Sequence, residues 1–149
     1  MKYLIVLATL LTFNTFGQNS DSTEVHAVID QLFEGMRTGD STMVAATFHP
    51  DIQMITTFTN KEGNPASHTG SAAEFKKAVG TPHDEVWDER ISKVVIQIDD
   101  NLAQVWMNYA FYLDDNLSHC GVNAVQMIRT EEGWKMIHLM DTRRRKACD

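Results

Sequence analysis

Side chains capable of acid–base chemistry recur in the second half of the chain. Tyr109, His119 and Asp141 are the most informative of them. A histidine beside a carboxylate in a half-dry pocket can transfer protons, because burial and charge tune the pKa values of both groups. His119 and Asp141 are therefore the candidate catalytic residues. The candidate ligand-binding residues form a wider set: Arg90, Tyr109, Phe111, His119, Asn123, Asp141 and Arg143.

Structural explanations of the same residues stay open. Asp141 with Arg143 or Arg90 can be a purely structural ion pair, and a histidine at a strand start is often only a hydrogen-bonded polar residue. The six histidines show no metal-ligand spacing, so no metal site is expected. The sequence has no glycine-rich phosphate loop and no Gly-x-Ser-x-Gly motif, and no cofactor is predicted.

From Val86 onward, hydrophobicity alternates with a period of two, which predicts strands. The predicted strands cover residues 87–98, 102–113, 117–130 and 134–143. The segments 99–101, 114–116 and 131–133 have the composition of tight turns. Such short connections require antiparallel neighbours, so the sequence predicts a long meander.

The hairpin registers decide which side chains share a face of this sheet. Pairing Leu113 with Leu117 places Phe111 opposite His119. A two-residue turn between the first two strands of the meander would place Arg90 beside Phe111. This placement depends on the absence of a bulge, because a slip of one residue moves every side chain to the other face.

Pairing Thr130 with Trp134 places Asn123 opposite Asp141, and Gly121 leaves room beside them. The apolar residues of the same face form a floor: Val94, Ile96, Val105, Met107, Val125, Met127, Ile137 and Leu139. An apolar floor with polar groups gathered at one end is typical of a small-molecule pocket.

The opposite face of the sheet is too apolar to be freely solvated. It carries Trp106, Asn108, Ala110, Tyr112, Val122, Ala124, Ile128, Trp134, Met136 and Met140. Burial in a homodimer, sheet face against sheet face, is the preferred explanation. The alternative is that the two faces are reversed and this one packs on the helices.

The first half of the chain predicts helices. Thr23 caps a first helix with apolar residues at helical spacing as far as Met36, and Gly39 ends it. Asp40 caps a short second helix, which residues 49–51 stop.

A β-branched and aromatic strand is predicted at 52–59, followed by a turn at 60–65. Ser71 and Glu74 form a capping box for a third helix, which Gly80 ends. Helices followed by strands indicate an α+β fold.

The ends and the bulk composition favour an exported protein. Residues 1–17 combine a basic start, a short apolar run and small residues before Gln18, so they predict a cleavable signal peptide and a secreted or periplasmic location. Residues 18–149 then form a single domain, with no membrane contact after cleavage. Export makes a disulfide between Cys120 and Cys148 possible; two free thiols are the alternative. The net charge of −7 argues against nucleic-acid binding.

Several short stretches, taken in order, resemble the nuclear-transport-factor-2-like superfamily. They are Phe48–Asp51, Trp87–Ile91, Asn101–Trp106, Ser118–Gly121, Gly133–Lys135 and Asp141–Arg144. Together they look like its exported bacterial branch, known as lumazine-binding or SnoaL-like. The resemblance implies a cone-shaped, curved antiparallel sheet covered by three N-terminal helices, with a pocket and often a dimer packed sheet to sheet.

Three functions are consistent with this sequence. The first is an exported protein that binds a small molecule in a cavity that is half apolar and half polar. The second is a cofactor-free enzyme of the cyclase, isomerase or hydratase kind that uses His119 and Asp141. The third is a dimeric interaction module that holds no ligand.

Overall fold

The computed structural model describes residues 16–148. The predicted signal peptide, residues 1–17, lies outside this range except for its last two residues. The described chain contains three helices and six strands. Their order along the chain is α1 (Phe16–Thr38), α2 (Ser41–Thr47), β1 (Phe48–Thr59), β2 (Pro65–Gly70), α3 (Ala72–Gly80), β3 (Trp87–Asp99), β4 (Leu102–Leu113), β5 (Asn116–Thr130) and β6 (Gly133–Arg143). The predicted α+β fold with a curved sheet and N-terminal helices is confirmed.

The sheet has the strand order β2-β1-β6-β5-β4-β3. Strands β3 to β6 form the predicted antiparallel meander. Strand β1 adds to it through a parallel pairing with β6, so the sheet is mixed rather than purely antiparallel. This pairing places β1, from the first half of the chain, directly beside the strand that contains Asp141.

The two ends of α1 behave differently from one another. The helix begins at Phe16, not after Thr23, because no proline interrupts residues 16–22. It ends as predicted, at Gly39, which has a φ of +69°. Helix α2 then begins with Asp40 as its N-cap, because the Asp40 carboxylate accepts hydrogen bonds at 2.9 Å from the backbone amides of Thr42 and Met43.

Strand β1 is longer than predicted and β2 was not predicted. Residues 49–51 belong to β1, and the pairing with β6 is irregular between Phe48 and Gln53, around Pro50, which has no amide hydrogen to donate. Strand β2 is polar and contains both proline and glycine, so its sequence carries no strand signal. Its regular backbone pairing with β1 forms it nonetheless.

Helix α3 starts where the capping box predicts. The Ser71 hydroxyl accepts a hydrogen bond from the Glu74 amide at 3.3 Å, and the helix ends at Gly80.

The core lies between the concave face of the sheet and the helices. Its fully buried residues include Ile29, Leu32, Val105, Met107, Val125, Met127 and Met136. The prediction that Trp134 and Met136 lie on the outer face is wrong, since both are buried in this core. Thr130 pairs with Gly133 and an irregularity at Ile137 shifts the register, so that Met136 rather than Ile137 faces Met127.

The convex outer face remains largely apolar and open in the single chain. Val95, Leu102 and Trp106 are each about half exposed. Within residues 16–148, no helix combines the length and hydrophobicity needed to span a bilayer.

Candidate functional site

A cavity of about 700 Å³ opens on the concave face of the sheet, beyond the filled core. Its apolar wall includes Leu32, Phe33, Met36, Phe75, Trp87 and Leu139. Its polar end, a name kept below, consists of Glu89, Tyr109, His119, Asn123 and Asp141. The cavity therefore has an apolar wall and one end where hydrogen-bonding groups converge.

Six of the seven predicted ligand-binding residues line this cavity. They are Tyr109, Phe111, His119, Asn123, Asp141 and Arg143. The predicted opposition of Phe111 to His119 and of Asn123 to Asp141 is observed.

The turn before β5 is one residue tighter than predicted. Leu113 pairs with Asn116 rather than with Leu117. A bulge just before His119 compensates for the difference, so the side chains still reach the predicted face.

Arg90 does not line the cavity, and Glu89 takes the place predicted for it. Glu89 lies opposite Phe111, whereas Arg90 lies opposite Ala110 on the outer face. There its guanidinium stacks 4.1 Å from the Tyr112 ring centroid. The cause is a bulge in β3 between Ser92 and Val95, where Lys93 has a φ of +52°.

One sequence signal could have revealed the bulge. Val94, Ile96 and Ile98 keep a period of two, but Ile91 stands three residues before Val94 and is out of phase with them. Ile91 packs against the core, as do all three of the others. An apolar residue out of phase with its strand is the expected mark of one extra residue.

Asp141 is the centre of the polar end. It is only 8% exposed, and its carboxylate accepts hydrogen bonds from the Thr56 hydroxyl at 2.6 Å and the Tyr109 hydroxyl at 3.2 Å. The Nε atom of Arg143, on the half-exposed rim, lies 3.9 Å from the same carboxylate. The parallel pairing of β1 with β6 supplies Thr56, which the sequence did not point to.

Tyr109 is held against β6 by its hydroxyl, which lies 2.9 Å from the Thr142 carbonyl oxygen. Burial raises the pKa of this tyrosine well above its ordinary value, and the charges of Asp141 and Glu89 raise it further. Gly121 permits the close approach, because a Cβ there would lie 1.8 Å from the Thr142 oxygen and 2.7 Å from the Tyr109 ring.

His119 has aromatic neighbours rather than an acidic one. Its ring centroid lies 4.9 Å from that of Phe111 and 5.8 Å from that of Tyr109. Burial lowers the pKa of His119 to about 4, and the charges of Arg143 and Arg145 lower it further. The imidazole is therefore neutral near pH 7. No hydrogen bond joins His119 to Asp141 in the described chain, so the acid–base pair stays a prediction.

Glu89 is the polar residue that the sequence interpretation missed. Its Oε1 accepts a hydrogen bond from the Asn123 amide at 2.7 Å, which links it to the strand next to Asp141. Burial raises the pKa of Glu89 to about 7; the charge of Asp141 adds to the rise, while the Asn123 bond and Arg143 oppose it. A carboxyl group of this kind can give or take a proton near neutral pH.

A disulfide closes the chain behind the polar end. Cys120 and Cys148 are bonded, which settles the alternative between a bridge and two free thiols. Cys120 and Arg144 also exchange backbone hydrogen bonds of 2.9 Å. Among the described residues, no group of three histidine, cysteine or acidic side chains is arranged to hold a metal ion.

Comparison with protein families settles the membership of the chain. The model of the family described as "Putative lumazine-binding" matches residues 20–140. The chain belongs to that family. The match spans both the helices and the strands that form the cavity. Curated proteins offer no significant match.

Solved structures show the same nuclear-transport-factor-2-like fold. A protein of unknown function from Mycobacterium tuberculosis has 11% identity and a TM-score of 0.71, over 92% of this chain and 79% of that one. A protein from Cytophaga hutchinsonii has 15% identity and a TM-score of 0.66, over 83% and 98%. A protein from Streptomyces avermitilis, described as a "putative dehydratase", has 15% identity and a TM-score of 0.62, over 86% and 99%. At these identities the likeness supports the fold alone.

Proposed function

We propose that this protein binds a small molecule that is half apolar and half polar. The observation that carries the proposal is the cavity of about 700 Å³, with its apolar wall and its single polar end. Ligand sites in proteins are concave, mostly apolar and fixed by a few convergent polar groups, with volumes of roughly 300–1,000 Å³. The family's description agrees with a role in binding a small molecule.

The chemistry of the polar end assigns roles to its residues. Asp141 is held in place by Thr56 and Tyr109, so it can accept a hydrogen bond from a ligand without rearranging. Neutral His119 and the Phe111 ring next to it, inclined to each other by 35°, offer aromatic surface to a ligand.

A thermal-shift screen of a small-molecule library tests this proposal. Ligands that bind the folded state raise the melting temperature of the wild type. Asp141→Asn should lose most of that shift, because the ligand would lose its charged acceptor. Asp99→Asn, at an exposed position at the far end of β3, is the matched control and should keep it. If no compound stabilises the wild type, or if both variants respond equally, the proposed site is wrong.

A second candidate is a cofactor-free proton-transfer enzyme of the cyclase, isomerase or hydratase kind. One observation favours it: a carboxyl group with a pKa near 7, Glu89, lies close to Asp141 inside the cavity. The similar protein from Streptomyces avermitilis carries a dehydratase description. This candidate predicts hydration, dehydration or isomerisation of small unsaturated carbonyl compounds, lost in Glu89→Gln and Asp141→Asn. Turnover that survives both changes would remove these carboxyl groups from the mechanism.

His119 keeps a testable place in that second candidate. The sequence pairs it with Asp141 as an acid–base group, and the low pKa of the ring allows it to act only as a neutral hydrogen-bonding group near pH 7. His119→Ala should therefore reduce turnover less than Glu89→Gln does.

We propose further that the chain is exported and forms a homodimer through its outer sheet face. The disulfide supports export, because disulfides persist in oxidising compartments. The half-exposed Trp106, Leu102 and Val95 support the dimer, or an interaction module without ligand as its alternative. Sedimentation velocity of wild type and Trp106→Glu tests the dimer; a wild type that is monomeric at high concentration would contradict it.

A further inference from the structure

The Glu89 carboxyl group is only partly compensated by the protein around it. One oxygen accepts the Asn123 amide hydrogen at 2.7 Å. In the described part of the chain that is its one hydrogen bond, and no basic side chain forms an ion pair with it. The carboxyl group lines the cavity, so a ligand there can reach it.

The one arginine that lines the cavity in the described chain is already engaged. Arg143 lies on the rim with its side chain about half exposed, and its Nε is 3.9 Å from Asp141. Its charge acts on both Asp141 and Glu89, so the polar end sets one arginine against two carboxyl groups. A ligand anion would have to approach both carboxyl groups.

Aromatic rings line the cavity next to Glu89. Phe111 faces Glu89 across the strand pair, and its ring contacts those of Trp87 and His119 at centroid distances of 6.2 Å and 4.9 Å. Faces of aromatic rings attract cations, most strongly where water is excluded. A carboxyl group and aromatic rings on one wall form an environment that suits a cation with an apolar body.

We infer that the polar end of the cavity recognises a protonated amine or amidinium attached to an apolar body, with Glu89 as the group that meets its positive charge. The inference rests on the proposed binding function and specifies its ligand class. It also predicts that a bound cation favours the ionised form of Glu89, because opposite charges at short distance stabilise each other. Binding is then linked to the release of a proton from Glu89.

Other charged and titratable groups face Glu89 and must be held constant in any test. They are Asp141 and Arg143 on β6, Tyr109 on β4, His119 on β5, His68 on β2, Glu74 on α3, Glu85 before β3, Asp88 on β3, and Asp30, Glu34 and Arg37 on α1. Burial raises the pKa of Glu89 to about 7, so its charge changes between about pH 6 and about pH 8. The measurements use a His68→Gln background, because a histidine is the other side chain of the cavity wall whose residue type can gain charge in this range. A change in affinity over this range therefore reports on Glu89.

Three probes of the same shape and different charge test the inference: benzylammonium, benzyl alcohol and benzoate. Their dissociation constants are measured by amide NMR titration of the full protein, which also locates each probe. At about pH 8, benzylammonium should bind about tenfold more tightly than benzoate, and its affinity should fall about tenfold on going to about pH 6, as Glu89 takes up its proton. Benzyl alcohol should show no such pH dependence.

Two variants identify the residue responsible. Glu89→Gln should abolish the pH dependence of benzylammonium binding and lower its affinity at about pH 8 by about tenfold. Asp99→Asn removes the same formal charge from an exposed position at the other end of β3, so it controls for the general attraction of an acidic protein for cations and should leave the affinity unchanged. If Glu89→Gln does not fold, the pH series on His68→Gln still decides.

The outcomes separate this inference from the proposed function. Benzyl alcohol or benzoate binding in the cavity as tightly as benzylammonium would overturn the ligand class and leave the binding function standing. A benzylammonium affinity that does not depend on pH would exclude Glu89 from its recognition. If none of the three probes shifts the amides that line the cavity, this inference fails, and the library screen decides the binding function separately.

Discussion

The two ends of the concave sheet face are built from the same strands but are stabilised in different ways. At the closed end, defined by Val105, Met107, Val125, Met127 and Met136, every side chain is fully buried against the helices. At the polar end, Tyr109, Asn123 and Asp141 are nearly as inaccessible to solvent, but they border an open cavity. Packing fills one end, and hydrogen bonds organise the other.

The difference shows what the helices do for this fold. Helix α1 places Ile29 and Leu32 against the closed end and so completes a core. At the other end, Leu32, Phe33 and Met36 form only the far wall of the cavity. The polar groups there need partners of their own, and they find them in Thr56, the Thr142 carbonyl and each other. Stability is concentrated at one end and binding capacity at the other.

Breaking the disulfide should have the largest effect on stability. Cys120 and Cys148 are 28 residues apart in sequence, and a loop of this length gives about 3.5 kcal/mol of stabilisation in the chain-entropy model. Reduction should therefore lower the free energy of unfolding in urea by about that amount. Hydrogen exchange should accelerate first at Cys120 and Arg144, whose backbones are paired, and not at Val125.

The variant Cys148→Ala provides the control for that experiment. It lacks the bridge, so reductant should leave its stability unchanged. A loss below about 1 kcal/mol on reduction of the wild type would mean that the polar end does not depend on its covalent closure.

A matched pair of truncations tests the comparison directly. Met107→Ala removes a fully buried side chain at the closed end and should cost about 3 kcal/mol of stability, measured by urea unfolding. Phe111→Ala, on the same strand and the same face, removes a larger side chain that borders the cavity, and should cost about 1 kcal/mol because less packing is lost. Equal losses would show that the cavity end is packed as a core.

The sequence predicted the parts of this structure that depend on periodicity and turn chemistry. The four strands of the meander and the helix N-caps at Asp40 and Ser71 follow from local rules, and the structure has all of them. Asn123 and Asp141 meet because two departures from the predicted hairpin cancel: the turn pairs Thr130 with Gly133 rather than with Trp134, and the irregularity at Ile137 restores the register. Local information was sufficient for the elements and their caps, and this contact depends on a bulge as well.

Bulges and long-range pairings limited the rest. The extra residue near Lys93 exchanged Arg90 for Glu89 at the cavity, and a similar irregularity at Ile137 brought Met136 into the core. Thr56 reaches Asp141 through a parallel pairing between strands 85 residues apart in sequence, which no local pattern encodes. Six of the seven residues predicted to bind a ligand therefore line one cavity, and the exchange of Arg90 for Glu89 changes its charges.

The pH dependence of stability should report the cost of burying Glu89. The pKa of Glu89 is raised to about 7 in the folded protein from 4.5, so the folded state holds this proton more tightly than the unfolded state does. The contribution of protonated Glu89 to the free energy of unfolding is fully present below about pH 4.5 and is lost as the pH rises through about 7. Between about pH 5 and about pH 8, the free energy of unfolding should fall by on the order of 2 kcal/mol more in the wild type than in Glu89→Gln.

His119 works in the opposite direction and makes the variant necessary. Its pKa is lowered to about 4 from 6.5, so its stabilising contribution is lost as the pH falls through that range, and stability rises with pH on its account. The free energy of unfolding of the wild type therefore depends on pH through two effects of opposite sign, one from Glu89 and one from His119. Subtracting the profile of Glu89→Gln removes the histidine, and Asp99→Asn controls for charge on the same strand. If Glu89→Gln and Asp99→Asn follow the same profile, Glu89 is solvated like a surface carboxylate, and the polar end is wetter than its contacts indicate.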